Sequence, residues 1–300
     1  MAEATLGTRL RREWFLFVLL APALLYFTVF HLLPIAGMSI AFEDFRLLGR
    51  SRFVGLKHFV ALFSSPSFSQ VIANTLILST MKIVLYFPLP VLFALLVNEL
   101  RIALVRKLVQ AVAYLPHFLS WVVIASVWIA FLSPSTGGLN QLRGLLGLPT
   151  LDYMTSKAHI RWILFASETW RSMGWDSIIY LAALMQINPS LYESAGIDGA
   201  SALQRMRLIT LPELVPTMIT VFILNLGFFM NAGFDQVFNM MNDSVISAAD
   251  ILDTFVYRIG LVNMQYSFST AASLFKGVIG LVLILSTHVT AKRVTGKGLW

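Results

Sequence analysis

Six stretches of this chain stay apolar for longer than a soluble fold requires: Trp14–Phe42, Val71–Val97, Leu108–Leu132, Trp162–Ile187, Leu214–Asn239 and Ala271–Thr290. A hydrocarbon core roughly 30 Å thick is crossed by about 20 residues of α-helix. Only helices and closed barrels satisfy every backbone polar group inside lipid. A barrel would read as short segments of strict alternation, and these runs do not alternate. The pattern therefore predicts an all-α membrane protein with six transmembrane helices.

Composition supports that reading, since 57% of the 300 residues are hydrophobic and only 12% are charged. The first segment exceeds the apolar region of a cleaved signal, and Pro22 and Pro34 do not resemble a small-residue cleavage site, so it is read as a retained span. With no cysteine there is neither a disulfide framework nor a thiolate metal site. No internal repeat or separable soluble domain is visible, so residues 1–300 are taken as one transmembrane domain.

The net charge of +7 is informative by location. Placing the N-terminus in the cytoplasm gathers Arg9, Arg11, Arg12, Arg101, Arg106, Lys107, Arg205, Arg207, Lys292, Arg293 and Lys297 on that side. Arg46, Arg50, Arg52, Lys57, Arg143, Lys157, Arg161 and Arg258 are left to longer loops on the other face. Positive-inside bias thus puts both termini in the cytoplasm. The basic residues flank spans instead of forming a stripe, which argues against nucleic-acid binding.

Between the fourth and fifth apolar runs lies a polar island, Glu193–Pro212, reading ESAGIDGASALQRMRLITLP. Ser190 with Glu193 spells a capping box for a short helix over 191–197, which Gly199 ends by tolerating φ > 0. Ser201 with Gln204 repeats the box and starts a second short helix running towards Pro212. Residues 190–213 are thus expected to form a compact cytoplasmic elbow.

Elsewhere, residues 43–69 suit either an interfacial amphipathic helix or a packed loop. Pro88 and Pro90 should kink the second span. The Trp121/Trp128 pair is read as packing or interface anchoring. The loop 133–160, with Gly137-Gly138, reads as turns. ILDTFVYRIG, at 251–260, is helical in pattern, with Ile251, Phe255 and Ile259 on one side. Gly227 and Gly233 permit close helix approach in the fifth span.

No phosphate-cradling G-x-x-x-x-G-K-[ST], H-E-x-x-H or G-x-S-x-G occurs, so no catalytic site is expected in this chain. What remains are polar groups within the spans, each costing roughly 2.5–3.5 kcal/mol at mid-bilayer if charged, and so expected to face a cavity or a partner. The candidate passage residues are Lys82, Glu168, Arg171, Trp175, Asn225, Asn231, Asp235, Tyr257, Arg258 and Lys276, with Asp176 nearby. Cations outnumber carboxylates among them, and a shared passage would then favour an anionic solute. Alternatively, Glu168 and Arg171, three apart on a helix, form a structural pair, while Lys82 and Lys276 snorkel to the interface.

Glu193, Ala195, Gly199, Ile209, Leu211 and Pro212 stand at the spacing E-A-A-x-x-x-G-x(9)-I-x-L-P, and Asp198 and Ala200 beside Gly199 fit its sugar-importer form. Ser194 replaces the usual alanine with another small residue. This resembles the EAA loop of permease subunits in binding-protein-dependent ABC importers. Over nearly the whole chain, including Asn74-Thr75 and Leu115-Pro116, the sequence resembles maltose-type carbohydrate permeases. The stretch from Phe234 to Phe275 is most similar to permeases for acidic oligosaccharides such as aldouronate and alginate.

The resemblance implies a type I importer (MetI-like) permease fold in a bacterial cytoplasmic (inner) membrane. The implied partners are a second homologous permease, a cytoplasmic ABC ATPase dimer holding ATP and Mg, and an extracytoplasmic solute-binding protein. Glu193, Ser194, Ala195, Asp198, Gly199, Ala200, Arg205, Arg207, Ile209, Leu211 and Pro212 would couple this chain, which binds no cofactor itself, to the ATPase. Competing expectations are a permease for a neutral sugar or other polar solute, an ion-coupled secondary transporter relaying through Glu168 and Asp176, and a receptor-type membrane protein.

Overall fold

The computed structural model describes residues 14–295. Arg9, Arg11, Arg12 and Lys297, on which part of the topology expectation rests, lie outside the described residues. Helix dominates, and the first helix, α1 (Trp14–Phe42), buries nothing between Trp14 and Gly37. A helix apolar on all sides and uncovered by protein needs lipid around it.

A small hairpin follows, β1 (Glu43–Asp44) pairing antiparallel with β2 (Arg52–Phe53), Glu43 opposite Phe53 and Asp44 opposite Arg52. The next helix, α2 (Lys57–Phe63), is amphipathic and packed along one side. Leu62 is fully buried beside Phe68, Val71 and Phe255, while Leu56, Val60 and Phe63 face outward.

Helix α3 (Pro66–Asn98) runs as one 33-residue stretch through Pro88 and Pro90, and its regular α geometry gives way just before them. Proline has no N–H and its ring crowds the carbonyl four residues back. Here the turn Lys82–Tyr86 widens to π geometry, and the Phe87 amide donates to the Lys82 carbonyl at 3.1 Å. The same device recurs at the same offset twice more. A π-turn at Thr28–Leu32 precedes Pro34, and another at Met206–Thr210 precedes Pro212.

The third expected span, 108–132, is not one rod. Helix α4 (Ala103–Phe118) and helix α5 (Trp121–Leu132) meet at 106°. Pro116 tightens the end of α4 into a 3-10 turn, Leu119 and Ser120 are extended, and the Ser120 hydroxyl caps α5 by accepting from the Val123 amide. The loop expected over 133–160 contains a further helix, α6 (Gly138–Leu145). Buried Asn140 holds that loop, donating to Leu151 O and accepting from Leu151 N, both at 2.9 Å.

Helix α7 (Ile160–Leu184) has the length of a span but carries Arg161, Glu168, Arg171 and Asp176. After helix α8 (Pro189–Ile197) comes α9 (Ala202–Gly227). The fifth expected span, 214–239, therefore stops at Gly227. Residues 228–233 are irregular, and Gly233, at φ +100, starts the separate helix α10 (Phe234–Met240). Two short helices, α11 (Ile246–Ala249) and α12 (Leu252–Tyr257), lead to α13 (Tyr266–Thr295). As expected, Ile251 and Phe255 point inward, with Ile259 beside them.

Among the described residues, α1, α3, α9 and α13 are each long and apolar enough to cross a membrane, and the bent pair α4–α5 makes a fifth if counted as one crossing. The seam that organises them is α3 against α7. Asn74 meets Arg161, Lys82 meets Glu168, and Tyr86 meets Asp176, so contact numbers rise together along both helices. The two helices run parallel, and the chain between them must return once. Below these contacts Val91, Ala94 and Leu95 pack with Tyr180, Leu184 and Leu214 in a buried apolar cluster.

Candidate functional site

Two regions carry the predicted residues. In the first, the elbow, Asn188 and not Ser190 caps α8, its Oδ1 accepting from the Ser190 amide at 3.0 Å. Pro189 occupies the first helical position, so Ser190 is already inside the helix. Its carbonyl instead accepts from the Ser194 hydroxyl at 2.9 Å, and the expected Ser190/Glu193 box does not form. The helix ends with Gly199 at φ +74. Its amide donates to Gly196 O at 3.1 Å, and that of Ala200 to Ala195 O at 2.9 Å. These two bonds form a Schellman cap, which satisfies the carbonyls left over at a helix end.

The second box does form. The Ser201 amide donates to Gln204 Oε1 at 2.7 Å, and Ser201 Oγ accepts from the Gln204 amide at 3.4 Å. The helix it starts is not short. Residues Ala202–Gly227 form one continuous rod, so the helix holding Arg205, Arg207, Ile209, Leu211 and Pro212 is the same one that reaches Asn225. Tyr192 ties α8 to that rod through a 3.0 Å hydroxyl contact with Thr210. Glu193, Ser194, Asp198, Gly199 and Arg207 are exposed, whereas Ala195, Ala200 and Arg205 are half-buried.

The second region is a cavity of about 710 Å³ between α3, α7 and α9. Lys82, Tyr86, Glu168, Trp175, Asp176, Asn225 and Asn231 are its chemistry-bearing lining, and aliphatic and aromatic side chains form the rest. Glu168, Ser172 and Asp176 recur every fourth residue and so share one face of α7. Lys82 Nζ lies 3.1 Å from Glu168 Oε2, Ser172 donates to Glu168 Oε1 at 3.0 Å, and the Tyr86 hydroxyl donates to Asp176 at 2.5 Å. A Cβ on Gly233 would stand 2.8 Å from Lys82 Nζ, so the break after α9 lies directly over the Lys82–Glu168 contact.

Arg171, Asp235, Tyr257, Arg258 and Lys276 do not line this cavity. Arg258 pairs with Asp250, and Lys276 with Asp253. Tyr257 stacks edge-on against Phe234 and Phe238. The expected Glu168–Arg171 pair is absent because Glu168 is taken by Lys82. Arg171 turns the other way, donating to His117 O at 3.3 Å with its guanidinium carbon 4.9 Å from the Trp121 ring centre. The cation surplus read from the sequence is therefore mostly cancelled locally. Among the described residues Arg171 alone of these four cations has no carboxylate within ion-pair distance.

Sequence reasoning missed Tyr86, and missed that Asn74 is a junction. Asn74 Nδ2 donates to Ser247 O and Asp250 O at 3.2 and 3.0 Å, and its Oδ1 accepts from Arg161 at 2.9 Å. Thr75 Oγ1 accepts from the Leu252 amide at 2.9 Å. The fourfold spacing of Glu168, Ser172 and Asp176 was readable in advance. Their partners 86 and 90 positions away were not.

A cavity between long helices, bridged by one ion pair and joined through one continuous helix to an exposed polar elbow, belongs to the class of membrane transport components. The chain is a member of the family of binding-protein-dependent transport system inner membrane components, matching it over residues 14–296. It is 38% identical over 296 residues to the polygalacturonan/rhamnogalacturonan transport system permease protein YteP of Bacillus subtilis, covering 97% of this chain and 92% of that one. It is 39% identical over 294 residues to protein LplB of the same organism, with the same shares covered. A crystal structure of a bacterial alginate ABC transporter, in complex with its alginate pentasaccharide-bound periplasmic protein, contains a chain with TM-score 0.92 and 38% identity. That match covers 99% of this chain and 100% of that one.

Proposed function

We propose that this chain is one transmembrane half of an ATP-driven importer for acidic, uronate-containing oligosaccharides. The carrying observation is the likeness over nearly the full length to a polygalacturonan/rhamnogalacturonan permease and to an alginate transporter chain. Local charge contributes less to the choice of cargo, because Lys82, Arg258 and Lys276 are neutralised in place. A second permease would complete the passage, and a solute-binding protein would deliver cargo. A cytoplasmic ATPase dimer would hold ATP and Mg.

In this reading the polypeptide crosses the membrane six times, with α4–α5 as the return between the parallel α3 and α7 and both termini in the cytoplasm. The elbow of residues 190–213 would dock on the ATPase. Its Schellman cap and capping box make it stiff, and α9 joins it to the cavity without a break, so ATPase closure would be delivered as a rigid-body movement. The passage would include Lys82, Tyr86, Glu168, Trp175, Asp176, Asn225 and Asn231.

The test is uptake by proteoliposomes containing the permease pair with and without the ATPase. Accumulation of a uronate oligosaccharide that needs ATP and the binding protein is expected. Uptake driven by an ion gradient with no ATPase present overturns the proposal.

A further inference from the structure

Immediately beyond α1 the chain carries Arg46-Leu47-Leu48-Gly49-Arg50-Ser51-Arg52-Phe53 around the hairpin tip. Leu47, Leu48 and Phe53 are 70%, 91% and 74% exposed. On the neighbouring α2, exposed Leu56, Val60 and Phe63 recur at i, i+4 and i+7, which places them on one helix face. Leu62, on the other side, is fully buried.

Their depth is fixed by α13. The Phe45 amide donates to Ser267 Oγ at 3.0 Å and the Phe45 ring meets Tyr266 edge-on, so the hairpin base sits at the start of that helix. Phe63 packs 5.3 Å from Phe275, which lies about 14 Å further along α13 at 1.5 Å per residue. The outward stripe of α2 thus runs beside the flank of an apolar span.

Charge completes the pattern. Arg46, Arg50 and Arg52 are exposed and have no ion-pair partner among the described residues. Asp44, at the hairpin base, is already held by Lys57 and His58, and the Lys57 hydrogen bond keeps its carboxyl below the usual range. Aromatic and aliphatic side chains with arginines at their edge are the composition of an interfacial anchor.

We propose that hairpin 43–53 and α2 form a lipid-seated collar, with Leu47, Leu48 and Phe53 in the headgroup boundary and Arg46, Arg50 and Arg52 bound to the phosphates of anionic phospholipid. This placement does not depend on which solute is carried. It gives α1, which buries nothing between Trp14 and Gly37, a fixed exit from the bilayer.

Because this chain has no cysteine, Leu48→Cys gives it a single labelling site, and the parent complex in the same nanodiscs, labelled in parallel, supplies the background from its partners. A fluorophore there should be quenched by shallow spin-labelled lipid. Quenching should rise with anionic lipid, by roughly fivefold in lipid preference per arginine. The variant R46Q/R50Q/R52Q should lose that dependence, and co-elution with its partners would show it assembled. Quenching by aqueous iodide alone, equal in neutral and anionic discs, overturns the proposal. So does protection that appears only when a solute-binding protein is added, which would make the tip a protein-docking surface.

Discussion

Lys82 and Glu168 stand 3.1 Å apart across the seam of two parallel helices, each largely shielded from solvent and each facing the cavity. The pair cancels charge at the place where the sequence alone predicts a surplus of it. Removing one partner leaves an uncompensated charge. Lys82→Met is expected to destabilise the assembled protein by about 2 kcal/mol, below the full cost of a buried pair because both groups keep some solvent access. Adding Glu168→Gln should restore most of that. Thermal unfolding of the single and double variants in detergent checks it, and additive losses would mean the two residues are not coupled.

Gly174 lets α7 lie directly on α4, since a Cβ there would collide with the backbone of Ala113. Gly174→Ala should cost roughly 1–3 kcal/mol by forcing the helices apart. At Gly227 the nearest side-chain atom to a built Cβ is Ile284 Cγ1 at 3.5 Å, an ordinary contact. Gly227→Ala should therefore melt like the parent, and a comparable loss there would remove the steric explanation.

Gly199 is constrained by its backbone and not by space, because nothing lies within 4 Å of a Cβ built on it while φ is +74. Asparagine tolerates that conformation and proline cannot adopt it. Gly199→Asn should keep substrate-stimulated ATP hydrolysis, and Gly199→Pro should abolish the stimulation with the complex still assembled. ATPase assays with and without loaded binding protein distinguish the two. Equal activities would remove the elbow from the coupling path.

Burial raises the carboxyl of Asp250 above its ordinary range, against the opposing pull of Thr254 and Arg258. An acid whose pKa is raised by folding contributes stability that is complete below its unfolded value, about 4, and is lost as pH rises through its folded one. Asp250→Asn should flatten that part of the stability profile. It should leave the acid end near the parent, because there the parent's carboxyl is protonated and is no longer an ionic partner for Arg258. Melting temperature against pH reads slope and level separately.

Of the four candidate passage cations, Arg171 is the one left without a carboxylate among the described residues, and its Nε is buried without a hydrogen-bond partner there. Because Arg171 points away from the cavity, Arg171→Gln should alter uptake of acidic and neutral oligosaccharides alike. Lys276→Gln should not discriminate, because Lys276 is engaged by Asp253. Competition uptake with charged and neutral oligosaccharides decides this.

Much of the architecture was legible because lipid imposes it. Long apolar runs located α1, α3, α7, α9 and α13, and φ > 0 at Gly199 followed from the turn the elbow needs. The capping box at Ser201 and Gln204 was read correctly. The one at Ser190 was not, since Asn188 one residue before Pro189 competes for the same role. The break at Leu119-Ser120 went unseen because its flanks are as apolar as a straight span. Ion-pair choice was hidden for a different reason. Glu168 selects between Arg171, near in sequence, and Lys82, near only in the fold, and helix packing makes that selection.

The π-turn in α3 also sets phase. In an unbroken α-helix residues 79 and 91 would point about 120° apart, at 100° per residue. The one extra residue absorbed at Lys82–Tyr86 brings them back to within about 20°. Buried Ser79, beside the polar contacts, and buried Val91, in the apolar seam, therefore lie along one line of the helix. Two different surfaces, one polar and one apolar, are aimed at the same neighbour by a single widened turn.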